Sequence, residues 1–261
     1  MFSSIKRLIK NIKPVKYYLK GKKILTDSHY KEVQLLNQLE RSKPTKRTEI
    51  INFLLSLKKG ETYYLEIGVR NPNHNFIHIQ AKQKYSVDPG VEFKLNPVDF
   101  KITSDGFFQK LDRNEILSND IKFDVIFIDG LHLAEQVDRD IANSLRYIND
   151  DGFIVLHDCN PPSEWHGREL FRYNHTPAST NWNGTTWKAF LKYRMNQNLS
   201  SCCIDSDFGV GILTKKNNIG KSMESKNPFF EYYNLDKNRK EYLNLVDFDT
   251  FKKNLLNEQD K

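Results

Sequence analysis

Three cysteines in 261 residues, the adjacent pair Cys202 and Cys203 and a lone Cys159, make neither a disulfide framework nor a zinc-ligand spacing. A reducing cytoplasm is the simplest setting for such a chain. No uninterrupted apolar run approaches the roughly 18 residues of a membrane span, and the N-terminus lacks the apolar core of a secretory signal. The expectation is a globular protein that does not cross a bilayer. Zinc-finger, RNA-recognition and helix-turn-helix patterns are also missing, so a net charge of +7 does not by itself argue for specific nucleic-acid binding. No internal repeat is visible.

The charge that is present is unevenly placed. Lys6, Arg7, Lys10, Lys13, Lys16, Lys20, Lys22 and Lys23 occur without one acid among them, and Ile5, Leu8, Ile9 and Ile12 recur at helical spacing. This predicts a short basic amphipathic segment ending at Pro14. Such a segment is either a solvated terminal helix or a peripheral contact with an anionic membrane, which for a cytoplasmic protein is the inner membrane face. Hydrophobic residues make up 38% of the chain, enough for a substantial core. Val33, Leu35, Leu36 and Leu39 mark one packing helix, and after Pro44 a second follows with Ile50, Ile51, Phe53, Leu54 and Leu57, closed by Gly60.

The densest chemistry lies between Phe123 and Pro161. Phe123–Ile128 is an apolar run without polar alternation, as expected of a parallel strand covered on both faces. It ends in Asp129, Gly130 and His132. Ala134, Val137, Ile141, Leu145 and Ile148 form one stripe of a helix that stops near Asp150, Asp151 and Gly152; Phe153–Leu156 is a second buried strand, running into His157, Asp158 and Asn160. A right-handed crossover makes the two strands parallel, so both acidic turns leave the carboxyl edge of the sheet, where open α/β folds bind ligands.

Earlier, Tyr63–Val69 reads as the first strand, with Glu66 and Gly68 near its end, and Tyr85–Val87 as the second, ending in Asp88. Asp88 follows Gly68 at the separation with which a βαβ unit delivers an acid to ribose hydroxyls; the alternative is a simple Asp-Pro-Gly turn. Phe100–Ser104 reads as the third strand. Its exit residues Ser104 and Asp105 can form an exposed cap of the next helix.

These motifs resemble the class I S-adenosylmethionine-dependent methyltransferases. Glu66-Ile67-Gly68, Ser86-Val87-Asp88-Pro89 and Phe127-Ile128-Asp129-Gly130 stand where that family carries its acids and glycine. LEIGVR, TSDGFF, FIDGLH, VLHDCNP, WNGTTWKAF and DFGVGIL are similar to a bacterial group found with sugar and glycan biosynthesis. The resemblance implies a three-layer α/β/α Rossmann-like methyltransferase fold, a seven-stranded, mostly parallel sheet with an antiparallel last strand. It spans 61–215, with a helical basic extension over 1–60 and a helical extension and loose tail over 216–261.

The resemblance further implies a cofactor site of Glu66, Gly68, Arg70, Asp88, Ser104, Asp105 and Asp129. One departure stands out: Arg70-Asn71-Pro72-Asn73-His74-Asn75 offers none of the family's further glycines, so an asparagine must take the left-handed conformation or the loop must follow another path. A hydroxyl acceptor must be made nucleophilic, by an imidazole base, His132 or His157 beside Asp158, or by a divalent ion such as Mg²⁺ on Asp129, Asp158 and Asn160. His157 as a structural imidazole is the competing reading. The long stretch from Pro161 to Gly184, with Trp165, His166, Arg168, Arg172, His175 and Trp182, reads as an acceptor-binding lid or a packing flap. The expected reaction is O-methylation of a sugar or glycan-linked hydroxyl. The alternative is a non-catalytic adenosine- or glycan-binding protein that keeps the fold.

Overall fold

The computed structural model describes residues 12–93, 95–172, 174–224 and 227–259. Seven strands form one sheet: β1 (Tyr63–Ile67), β2 (Gln83–Val87), β3 (Phe123–Ile128), β4 (Ile148–Leu156), β5 (Ser200–Ile204), β6 (Val210–Thr214) and β7 (Leu245–Val246). Their order is β2-β1-β3-β4-β6-β5-β7. The first four pair in parallel, while β6 runs antiparallel to both β4 and β5. Every residue of β3 is buried, which follows from having a helical layer on each side.

Two cores flank the sheet. On one face Leu65, Ile126, Ile128 and Ile154 meet α4 (Ser104–Asp112), α5 (Ala134–Tyr147), α6 (Thr186–Arg194), α7 (Tyr232–Lys237) and α8 (Arg239–Leu243). On the other, Tyr64, Val125, Phe127 and Val155 meet α3 (Arg47–Ser56) and α9 (Phe248–Gln259). Phe53 of α3 packs edge-on against Phe248 of α9 at 5.7 Å. Two further helices, α1 (Lys13–Leu25) and α2 (Ser28–Ser42), precede α3.

The structure corrects several expectations. The third strand is reduced to a single bridge between Val87 and Phe100, and Ser104 already begins α4. The Asp99 carboxylate accepts from the Ser86 amide at 2.9 Å, standing in for a ladder partner, and Pro97 has no amide to offer. The seventh strand is instead β7, parallel to β5. Pro14 sits in the first turn of α1 rather than at the end of a helix, a position where its missing N–H costs nothing. Residues 1–11, which carry Ile5, Leu8 and Ile9, lie outside the described residues. In place of a loose tail after Asn254, α9 continues to Gln259 with Leu255 buried. Asp150 to Gly152 belong to β4, which absorbs them in an irregularity of its pairing with β3.

Candidate active site

The carboxyl edge is built by backbone contacts between strand exits. Gly68, just past β1, has φ +91°, and a Cβ there would run into the Asp129 carbonyl and Gly130 beyond β3. The Gly68 amide donates to Val87 O at 2.8 Å and the Asp129 amide to Ile67 O at 2.9 Å, so the ends of β1, β2 and β3 are stitched together. The glycine-free loop takes another path: two 3-10 turns, Pro72–His74 and Phe76–His78, replace a helix. None of its asparagines is left-handed.

At this edge six charged or titratable side chains converge. Asp129 Oδ1 lies 3.3 Å from His132 Nε2 and 3.4 Å from His157 Nδ1. Asp158 Oδ2 lies 3.2 Å from His132 Nδ1 and 3.1 Å from His157 Nδ1. Asp158 reaches both imidazoles because its backbone is left-handed (φ 62°), a conformation aspartate tolerates better than most residues. On the far side of His157, Nε2 lies 3.3 Å from Asp207 Oδ2, which also takes Arg47 Nη1 at 2.9 Å.

The electrostatics follow from this crowding. Burial opposes charge on His132, but the Asp158 and Asp129 carboxylates outweigh it and lift its pKa to about 9. His157 is likewise raised against its burial by Asp158 and Asp129, with Arg47 opposing. Burial would raise Asp129, yet His157, His132 and Arg47 hold it well below the usual carboxylate range. Three carboxylates thus face the Arg47 guanidinium and two imidazoles whose pKa values they raise, and Arg47 Nη1 also lies 3.1 Å from His157 Nε2. Both His157 nitrogens are engaged within this cluster, and its side chain is 9% exposed against 21% for His132.

Sequence reasoning missed Arg47 and Asp207. Asp207 had a usable signal: an antiparallel β6 puts the β5–β6 turn at the carboxyl edge, beside the end of β4. Arg47 had none, because nothing local in α3 announces that its first residue points at the crevice.

Among the described residues, Asp129, His132 and Asp158 form one group whose donor atoms lie within 4.8 Å of one another, close enough that they could hold a cation. Two carboxylates and one imidazole suit Mn²⁺ or a similar divalent ion better than Mg²⁺, which prefers oxygen throughout. Asn160, expected as a third ligand, is engaged elsewhere: its Oδ1 accepts from Arg239 and its Nδ2 donates to Asp205 at 3.3 Å.

The remaining expected cofactor residues divide. Asp88 sits half-buried just past β2, its Oδ1 accepting from the Gly90 amide at 2.6 Å. Glu66 is buried against Tyr64 Oη (2.6 Å) and Asn75 Nδ2 (2.9 Å), and burial raises its carboxyl to about 7. Arg70 pairs with Glu92 at 2.7 Å in solvent. Ser104 and Asp105 both receive Gln136 Nε2 at 3.2 Å, so they tie α4 to α5, and the cap of α4 is Thr103.

The stretch from Pro161 to Gly184 is tied to the crevice at His132. The Thr185 amide donates to His132 O at 2.8 Å, and Trp182 stacks on the His132 ring at 5.2 Å. A Cβ on Gly184 (φ +60°) would strike His132, so glycine is required there. Arg168 ties the loop internally through Asn181 O and Ser179 O.

A family model described as a methyltransferase domain matches residues 65–159. No curated protein matches the chain. Among solved structures, an O-methyltransferase from Bacillus cereus in complex with SAH is 15% identical, covering 77% of this chain and 97% of that one, at a TM-score of 0.41. The O-methyltransferase TomG from Streptomyces achromogenes, in complex with SAM, is 10% identical over 77% and 96% at 0.43. MycE methyltransferase of the mycinamycin pathway, in complex with Mg, SAH and mycinamycin VI, is 13% identical over 76% and 57% at 0.40. Likenesses at these levels carry no weight for a ligand or a substrate.

Proposed function

We propose that this chain, whose residues 65–159 match the family model of a methyltransferase domain, uses S-adenosylmethionine to methylate a hydroxyl of a sugar or glycan-linked intermediate. The observation that carries the reading is the meeting of Asp129 and His132 from β3 with His157 and Asp158 from β4, at the edge where Gly68 and Asp88 also end their strands. The cofactor supplies a methyl group on a sulfonium, open to in-line displacement. The protein has to align the acceptor oxygen and take its proton.

His132 is the better base. Its Nδ1 faces Trp182 O (3.0 Å) and Asp158, which orient the ring; Nε2, 3.3 Å from Asp129 Oδ1, takes the acceptor proton once the imidazole is neutral and the acceptor hydroxyl lies beside it. His157 is saturated by Asp129, Asp158 and Asp207, and so acts as a rigid charge partner. Trp182 and Phe171, 5.6 Å apart beside His132, offer aromatic faces of the kind that sugar rings stack upon.

Calorimetry tests the cofactor. S-adenosylmethionine or its demethylated product should bind the wild-type protein, and Asp88→Ala should weaken binding by about tenfold or more, as expected for a lost hydrogen bond to a charged group. Absence of binding to the wild type removes the proposal. A divalent ion held by Asp129, His132 and Asp158 would lower the acceptor's pKa. Chelation should then cut turnover while cofactor affinity persists; activity indifferent to EDTA leaves the proton to His132 alone.

A binding protein that retains the fold is the alternative. It is favoured by the way Arg47 and the two imidazoles already occupy the three carboxylates. Cofactor that binds but is never demethylated, across a panel of sugar hydroxyl acceptors, would establish it.

A further inference from the structure

Helix α1 has no buried side chain. A helix of 13 residues is marginal in water unless a face of it packs on something. At 100° per residue, Tyr17, Ile24, Gly21, Leu25 and Tyr18 fall in one arc about 120° wide. Its large side chains are open to solvent: Tyr17 66%, Tyr18 67%, Ile24 42% and Leu25 58% exposed. Lys13 and Lys20 border the arc on one side and Lys22 on the other.

Eight basic residues and no acid precede Asp27, while the whole chain carries +7, so the rest of the molecule is close to neutral. Five of these basic residues, Lys13, Lys16, Lys20, Lys22 and Lys23, lie on α1 itself, beside the exposed apolar arc. From this juxtaposition we propose that α1 is an interfacial helix that docks the protein on an anionic lipid surface. The apolar arc enters the headgroup boundary, the tyrosines sit at the level such rings favour, and the lysines extend their stems to reach lipid phosphates. A second copy is a poor occupant, because pairing two such faces brings like charges together. Nucleic acid would use the lysines and leave the arc exposed.

Docking would also orient the crevice. Beyond α1, His29 Nε2 accepts from Trp165 Nε1 at 3.0 Å, and at the other end of α2 Arg41 donates to Asn181 at 2.6 Å. The loop leaving β4 thus abuts the helix that follows the docking segment, so docking would hold that loop near the lipid surface. The docking itself does not rest on methyl transfer and is tested without it.

Full-length protein is sedimented with vesicles of phosphatidylcholine alone and of phosphatidylcholine mixed with phosphatidylglycerol. It should bind the mixed vesicles and not the neutral ones. Tyr18→Ser/Leu25→Ser and Lys20→Glu/Lys22→Glu, at exposed positions that leave the core intact, should each weaken binding by about tenfold or more. The idea is overturned by no binding, by equal binding to both vesicles, or by binding that both variants retain. It is equally overturned if the protein forms a dimer that Tyr18→Ser/Leu25→Ser dissociates, or if it binds an RNA oligonucleotide as tightly as the mixed vesicles.

Discussion

Asp158→Asn is expected to lower turnover by about a hundredfold or more, the range lost when a proton acceptor such as His132 is no longer held in position, with cofactor affinity changed only a few-fold. Asparagine accepts the left-handed backbone of Asp158, so the substitution removes the charge without straining the turn. What it takes away is the carboxylate that faces Nδ1 of both His132 and His157. The pH profile separates this role from a structural one. In chelator-treated wild-type protein His132 keeps its proton until the pH approaches about 9, so turnover should climb with pH toward that value. In Asp158→Asn one of the two carboxylates that raise His132 is gone, and the rising limb should move to lower pH. Turnover within threefold of wild type, or a limb that does not move, would remove Asp158 from the chemistry.

Gly68→Ala should be the most destabilising single change at the carboxyl edge. Two costs add: a positive φ that alanine resists, about 1–2 kcal/mol, and a Cβ forced onto the Asp129 backbone, about 1–3 kcal/mol more. For a domain of this size, that sum lowers the melting temperature by roughly 10 °C. Cofactor binding should fall with it, because the exits of β1 and β3 are pushed apart. A thermal melt within two or three degrees of wild type would mean that the exits separate at little cost, and the stitched edge described above would not be rigid.

Much of this site was legible because its signals are local. The apolar run 123–128, the stripe of α5 and the second run ending at Leu156 mark a crossover, and the crossover brings Asp129, His132, His157 and Asp158 to one edge. Partners supplied by distant elements were not legible. Arg47 arrives from a helix that reads as packing alone, and Asn160 turns toward Arg239, a residue 79 positions later. Only the family resemblance points to Arg70, Ser104 and Asp105; in the fold each finds a charged or amide partner close by, Glu92 for the first and Gln136 for the others. The missing third strand was hidden for a related reason. Phe100 to Ser104 has strand-like composition, but pairing there is decided by the Asp99 side chain occupying the Ser86 amide.

The packing of α3 against α9 bears on the order in which the molecule assembles. Ile50 and Leu54 share a core with Phe248, Phe251 and Leu255, residues about 200 positions later in the chain. Contacts that distant must close a very large loop before they contribute anything, so they are slow to form. The crossover of β3, α5 and β4 closes over a few tens of residues and needs neither helix. In pulsed hydrogen exchange during refolding, the amides of β3 and β4 should therefore gain protection first, with α3 and α9 following together. Until then one face of the sheet remains open to water, and aggregation or chaperone capture during synthesis would be directed at that face.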